Sequence, residues 1–97
     1  MKLERLFNEY KGSEQGEQNI ASLVIDSRKA SEGSLFFAVK GLEADGHAYI
    51  PMAIEKGAVA IVCSDKQEER EGIAYIYRDD VIGEIGRCSS AFYGNPG

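Results

Sequence analysis

Ala58-Val59-Ala60-Ile61-Val62-Cys63 is apolar at every position. A strand with one wet face alternates apolar and polar residues, so an unbroken apolar run rich in β-branched residues describes a strand covered on both faces. Such strands belong to the parallel sheets of α/β domains. Upstream, Pro51 suits the first turn of a helix, where its missing N–H is not needed. Ile50, Ala53 and Ile54 would line the inner face of that helix, and Gly57 is placed to end it. Farther upstream, Leu35-Phe36-Phe37-Ala38-Val39 is a second run of strand length, and the β-branched stretch at residues 20–25 is a third. Downstream, residues 64–72 form a charged connector before a shorter strand at 73–77. Asp79 or Asp80 can cap a last helix whose inner face is Val81, Ile85, Cys88 and Phe92. Leu3, Leu6, Phe7 and Tyr10 share one stripe of a short N-terminal helix. The expected fold is α/β: a small mixed or mostly parallel sheet of about four to five strands with flanking helices.

The length of 97 residues fits one domain with one modest core. Acidic residues outnumber basic ones by 16 to 11, a net charge of -5, which argues against nucleic acid and membrane surfaces as partners. No apolar run approaches the ~20 residues that span a bilayer. Met1-Lys2-Leu3-Glu4-Arg5 lacks the apolar segment of a signal peptide. Two cysteines do not make a disulfide scaffold, so Cys63 and Cys88 read as buried reduced thiols. The composition describes a soluble, cytoplasmic domain, with monomer as the default state.

Catalytic equipment is missing. No Gly precedes a Lys, no G-x-G-x-x-G occurs, and no Ser sits in a G-x-S-x-G elbow. The single histidine, His47, rules out His-His metal motifs. No catalytic and no metal-ligating residue is expected, and the chain reads as a binding module.

Two loops suit a ligand. Asp26-Ser27-Arg28 sits where a strand ends, and the segment from Gly41 to Gly46 follows the next strand. Ligands of open α/β sheets favour the crevice beyond strand ends. A hydroxyl and glycines let backbone N–H groups approach an anion, and Arg28, Lys29 and Lys40 add local positive charge. Each feature has a plainer reading: Asp-Ser as an Asx turn, Arg28 as a partner of Asp26, Asp45-Gly46 as a turn dipeptide. His47 follows a turn and suits a loop or cap role. Tyr75 and Tyr77 share one sheet face, and Glu68-Glu69-Arg70-Glu71 reads as a solvated connector.

Asp26-Ser27-Arg28, the run from Glu32 through Phe36 to Gly41, Ala44-Asp45-Gly46-His47-Ala48-Tyr49-Ile50, Ala53-Ile54 and Gly57-Ala58-Val59-Ala60 together resemble the N-terminal domain of the Mur ligases. The likeness is strongest to the MurE type, the UDP-N-acetylmuramoyl-tripeptide synthetases of peptidoglycan synthesis. It covers about residues 20–97, and the closing Phe92-Tyr93-Gly94-Asn95-Pro96 is similar to the family's exit toward its ATP-binding domain. The resemblance implies that residues 1–97 hold the UDP part of UDP-MurNAc-L-Ala-D-Glu, with Ile25, Ser27, Leu42, Glu43 and Ala44 at the ligand and Arg28 and His47 in support. A carboxylate is unwelcome beside an anion, so Glu43 would point its side chain away or contribute only backbone groups; Arg28 would either touch the ligand or brace its loop, with bracing the favoured role.

The resemblance also implies that ATP and magnesium serve central and C-terminal domains outside these residues. The whole enzyme would then be an ATP-dependent acid–amino-acid ligase adding diaminopimelate or lysine, and this domain alone would be inactive. Gly94-Asn95-Pro96-Gly97 is composed as a linker begins, which carries the expectation of further chain. A MurF-type ligase and a non-enzymatic metabolite-sensing α/β module remain alternatives.

Overall fold

The apolar runs pair as four parallel strands, β1 (Ser22–Val24), β2 (Ser34–Phe37), β3 (Ala60–Cys63) and β4 (Ala74–Tyr77), side by side in chain order. The computed structural model describes residues 1–41 and 45–94. Leu35 stands opposite Ala60, and Ala60 opposite Ala74; Phe36, Ile61 and Tyr75 form the adjacent row. Since side chains alternate along each strand, these rows face opposite ways.

Sequential parallel strands joined by right-handed crossovers keep every connection on one face of the sheet. That face carries α2 (Ile50–Glu55), which packs Ile50 and Ala53 against Phe36, Ala38, Ile61, Cys63 and Tyr75. The opposite face is left to the chain ends. There α1 (Leu3–Leu6) and α3 (Val81–Phe92) cover Leu35, Phe37, Ala60, Val62 and Ile76. β2 and β3 are buried at every position, as expected for strands with two covered faces. Each fully buried large side chain contributes about 1.5–3 kcal/mol relative to exposure. The mostly parallel alternative within the expected fold is therefore the one formed, with four strands.

β3 and β4 lack an intervening helix. The Tyr75 hydroxyl accepts from the Arg70 amide at 3.0 Å, and the Tyr77 hydroxyl donates to Glu69 at 2.9 Å. These two tyrosines on one sheet face hold the charged connector in place of a helix.

Two expectations change in detail, and one choice between two residues is settled. The N-terminal stripe is broken after Leu6, where Phe7 is extended, and resumes as a single 3-10 turn at Asn8–Tyr10. A four-residue helix has little stability of its own, so tertiary packing sets its end: Phe7 is buried beneath the guanidinium groups of Arg78 and Arg87. β1 is shorter than residues 20–25 and only half-buried, because it lies at the sheet edge. The cap of α3 is Asp80, whose carboxylate accepts from the Gly83 amide at 2.9 Å. Gly57 ends α2 at φ +115°, with its α-carbon hydrogen facing Glu32 so closely that a side chain would overlap the Glu32 backbone. Among the described residues, no helix is long and apolar enough to cross a membrane.

Candidate functional site

β1 ends beside β2 at the carboxyl edge of the sheet, where loops rather than strands must satisfy the backbone. After β1, Asp26 turns the chain. Its carboxylate accepts from the Arg28 amide at 2.9 Å and takes both Nε (3.1 Å) and Nη2 (2.9 Å) of the Arg28 guanidinium. The Arg28 side chain, followed by its amide, holds the Asp26 carboxyl down at about 2. Because the guanidinium is 81% exposed, the pair shapes the loop more than it stabilises the fold. The turn sets Ser27 at the head of a 3-10 turn (Ser27–Lys29) with only 6% exposure. The Ser27 hydroxyl donates to the Met52 sulfur at 3.5 Å, and a thioether is a weak acceptor.

After β2, Lys40 and Asp45 form an antiparallel bridge. Gly46 then passes against the end of the strand, its amide donating to the Val39 carbonyl at 2.8 Å. A β-carbon there would lie 2.7 Å from Val39 N, so only glycine allows the approach. Gly46–Tyr49 forms a 3-10 turn that leads into α2. Asp45 caps this turn by accepting from the His47 amide at 2.9 Å, and that bond together with the His47 ring holds the Asp45 carboxyl below its ordinary range.

These two loops and α2 enclose a cleft of about 500 Å³ lined by Ile25, Asp26, Ser27, Arg28, Phe36, Val39, Gly46, Tyr49 and Met52. Ile25, Tyr49 and Met52 are exposed apolar residues around it, at 62%, 43% and 40%. The site therefore pairs a mostly apolar wall with one near-buried hydroxyl and one guanidinium, as small-molecule clefts do.

Of the residues expected from sequence, Ile25, Ser27 and Arg28 meet in this cleft. Leu42, Glu43 and Ala44 lie outside the described residues, as do Asn95 and Pro96 of the exit motif. His47 is buried but does not line the cleft. The expected cluster of positive charge is reduced: Lys40 pairs with Asp65 at 2.9 Å, away from the cleft, and the exposed Lys29 is not among the lining residues. Tyr49 and Met52 complete the cleft without being site residues expected from sequence; the signal for them is that both are large residues off the inner stripe of Ile50, Ala53 and Ile54, Tyr49 at the N-cap of α2 and Met52 on the helix itself.

A phosphate-binding loop for ATP is absent from this sequence. Among the described residues, Asp45, His47 and Asp65 bring donor atoms within 4.8 Å of one another. Both His47 ring nitrogens are already engaged with protein groups, however, so this trio does not suit a metal ion. No step through ATP or magnesium is assigned to residues of this chain.

The sequence pattern of the Mur ligase family, catalytic domain, matches residues 19–89. The UDP-N-acetylmuramoyl-L-alanyl-D-glutamate–2,6-diaminopimelate ligase of Bacteroides thetaiotaomicron is 50% identical over 78 residues, which are 79% of this chain and 16% of that protein. The ligase of the same name from Geobacter metallireducens is 40% identical across 99% of the chain, again only 19% of its own length. The chain thus spans less than a fifth of either relative. Among solved structures, the UDP-N-acetylmuramoylalanyl-D-glutamyl-2,6-diaminopimelate–D-alanyl-D-alanyl ligase of Acinetobacter baumannii superposes with a TM-score of 0.71 at 23% identity, covering 89% of this chain and 20% of that one. That likeness is one of fold. The family pattern begins just ahead of β1 and runs into the last turns of α3, and on that match the chain belongs to the Mur ligase family.

Proposed function

We propose that residues 1–97 are the nucleotide-holding N-terminal domain of a MurE-type ligase, and that the cleft between the 3-10 turn Ser27–Lys29 and α2 receives the UDP part of UDP-MurNAc-L-Ala-D-Glu. The observation that carries this reading is the Ser27 hydroxyl, nearly buried, facing the cleft with only a thioether to donate to. A ligand carbonyl or hydroxyl is a much better acceptor and would take over that bond. Ile25, Phe36, Val39, Tyr49 and Met52 offer apolar surface for a flat base and its ribose. Leu42, Glu43 and Ala44 would complete the site. Arg28, oriented by Asp26, braces the loop at its rim.

On this reading the parent enzyme is ATP-dependent and cytoplasmic, and it adds the third amino acid of the precursor. ATP, magnesium and the incoming amino acid bind elsewhere, so this chain binds without catalysing. The two relatives described, at 50% and 40% identity, carry the diaminopimelate-adding name, whereas the D-alanyl-D-alanyl ligase structure is 23% identical, which favours the MurE type over the MurF type and diaminopimelate over lysine. No partner beyond the UDP-MurNAc-peptide is assigned, and the domain acts as a monomer.

The test is a titration of the chain with UDP-MurNAc, followed by amide NMR. Shifts are expected at Ile25, Ser27, Tyr49 and residues 42–44. Ser27→Ala should weaken binding and leave the fold intact. A folded chain with no shifts at millimolar ligand would reject the assignment.

A further inference from the structure

We infer that His47, which does not touch the cleft, is the positioning residue that fixes the cleft's Gly46–Tyr49 wall by tying it to the exit of β3. The inference rests on the proposed nucleotide cleft for its functional readout and on the hydrogen bonds of this chain for its mechanism.

The His47 ring is 7% exposed. Its Nδ1 lies 2.6 Å from Asp45 Oδ1, and its Nε2 lies 3.1 Å from the Ser64 amide nitrogen and 3.2 Å from that of Asp65. A backbone N–H can only donate, so Nε2 must present its lone pair to both amides. The ring proton is then on Nδ1, and the Asp45 carboxylate accepts it. One imidazole therefore joins three places: the start of the 3-10 turn, the cap of that turn, and the two amides at which the chain leaves β3.

The wall of the cleft depends on this tie because of what flanks it. Gly46 precedes His47 and Tyr49 is two residues on, and both line the cleft. Gly46 already sits against the Val39 backbone with no space for a side chain. The wall thus cannot move toward β2, and His47 keeps it from moving away. The neighbouring charged link, Lys40 to Asp65, joins the same two loops but is about half exposed at each end, and it holds them less firmly. Losing the ring would free the Ser64 and Asp65 amides and let Gly46 and Tyr49 drift from their places in the cleft wall. A wall that must be reordered when the ligand binds lowers affinity, because preorganisation cuts the cost of association.

The experiment compares four full chains by UDP titration and amide hydrogen exchange: wild type, His47→Ala, His47→Gln and Cys88→Ala. Cys88 is buried on the opposite face of the sheet, so its truncation lowers stability without touching the cleft. The expected result is roughly a tenfold loss of UDP affinity in His47→Ala, with fast exchange at Ser64 and Asp65. Affinity in Cys88→Ala stays at the wild-type level. His47→Gln can still present an acceptor to both amides, and it recovers most of the slow exchange and most of the affinity.

Wild-type affinity in folded His47→Ala overturns the inference, as does an equal loss in Cys88→Ala. If His47→Ala does not fold, His47→Gln decides: slow exchange with retained affinity supports the tie, and fast exchange with retained affinity overturns it. If the wild-type chain binds no UDP, the nucleotide reading fails separately. The positioning role is then judged by the Gly46 and Tyr49 amide shifts: displacement in His47→Ala but not in Cys88→Ala supports it, and unmoved shifts overturn it.

Discussion

The Tyr10 hydroxyl donates to the Tyr75 carbonyl at 2.9 Å, joining residues 65 positions apart. β4 is the last strand of the sheet, and an open strand edge invites pairing with other chains. The N-terminal segment covers it with this bond and with the neighbouring ion pair of Glu9 and Arg78. Tyr10→Phe keeps the ring and removes the donor. It should cost about 1 kcal/mol, read as a lower urea midpoint with unchanged slope.

Asp26 should titrate far below an ordinary carboxylate. A carboxyl whose pKa is lower in the folded chain favours folding above its ordinary value, and that contribution fades as pH falls through the folded value. For Asp26 the window runs from the ordinary 3.8 down to about 2. Carbon-detected NMR titration of the side chain should show a midpoint near the lower figure. Arg28→Gln should move it back up, and an unmoved midpoint would remove Arg28 as the cause.

Gly46→Ala places a methyl group 2.7 Å from Val39 N and 2.9 Å from Val39 O. Backbone lies on both sides of this approach and cannot rotate aside, so the turn must shift. A loss of roughly 1–3 kcal/mol is expected in thermal unfolding, together with altered amide shifts at Tyr49. A variant as stable as wild type would mean that the approach is looser than described.

Asp80 and Asp79 offer a matched pair at the start of α3. Asp80 caps the helix through Gly83, while Asp79 is exposed outside it. Asp80→Ala should lose about 0.5–2 kcal/mol, and Asp79→Ala should stay within about 0.5 kcal/mol of wild type. Equal effects in denaturant melts would contradict the cap assignment.

Cys63 lies at the end of a fully buried strand, and burial pushes its thiol up to about 11. At mildly alkaline pH it should react with a disulfide reagent only as fast as the chain opens. Rapid labelling of the folded chain would show that the α2 face of the sheet is not closed over Cys63.

Much of this could be read along the chain. The unbroken apolarity of residues 58–63 called for a doubly covered parallel strand, and β3 is buried throughout. The Asp-Ser-Arg turn and the Asp45-Gly46 turn were legible as strand-end loops, and Ile25, Ser27 and Arg28 do meet in one cleft. What could not be read was which distant residues complete it. Met52 comes to Ser27 from 25 positions away, and Lys40 is drawn to Asp65 across another 25, so a cation counted toward the site in sequence is held elsewhere.

The sequence by itself determined the order of elements, the α/β class with a doubly covered central strand, the two strand-end loops and the family to which the chain belongs. Tertiary structure alone decided that Tyr49 and Met52 wall the cleft, that Phe7 rather than Tyr10 ends α1, that only glycine fits at position 46 against Val39, and that His47 bonds to Asp45 and to the Ser64 and Asp65 amides outside the lining of that cleft. Local periodicity reports how often a side chain turns toward the interior, which depends only on neighbours in the chain. Which partner it meets there depends on strand register and on the single face that right-handed crossovers allow, and those are settled only when all four strands are in place.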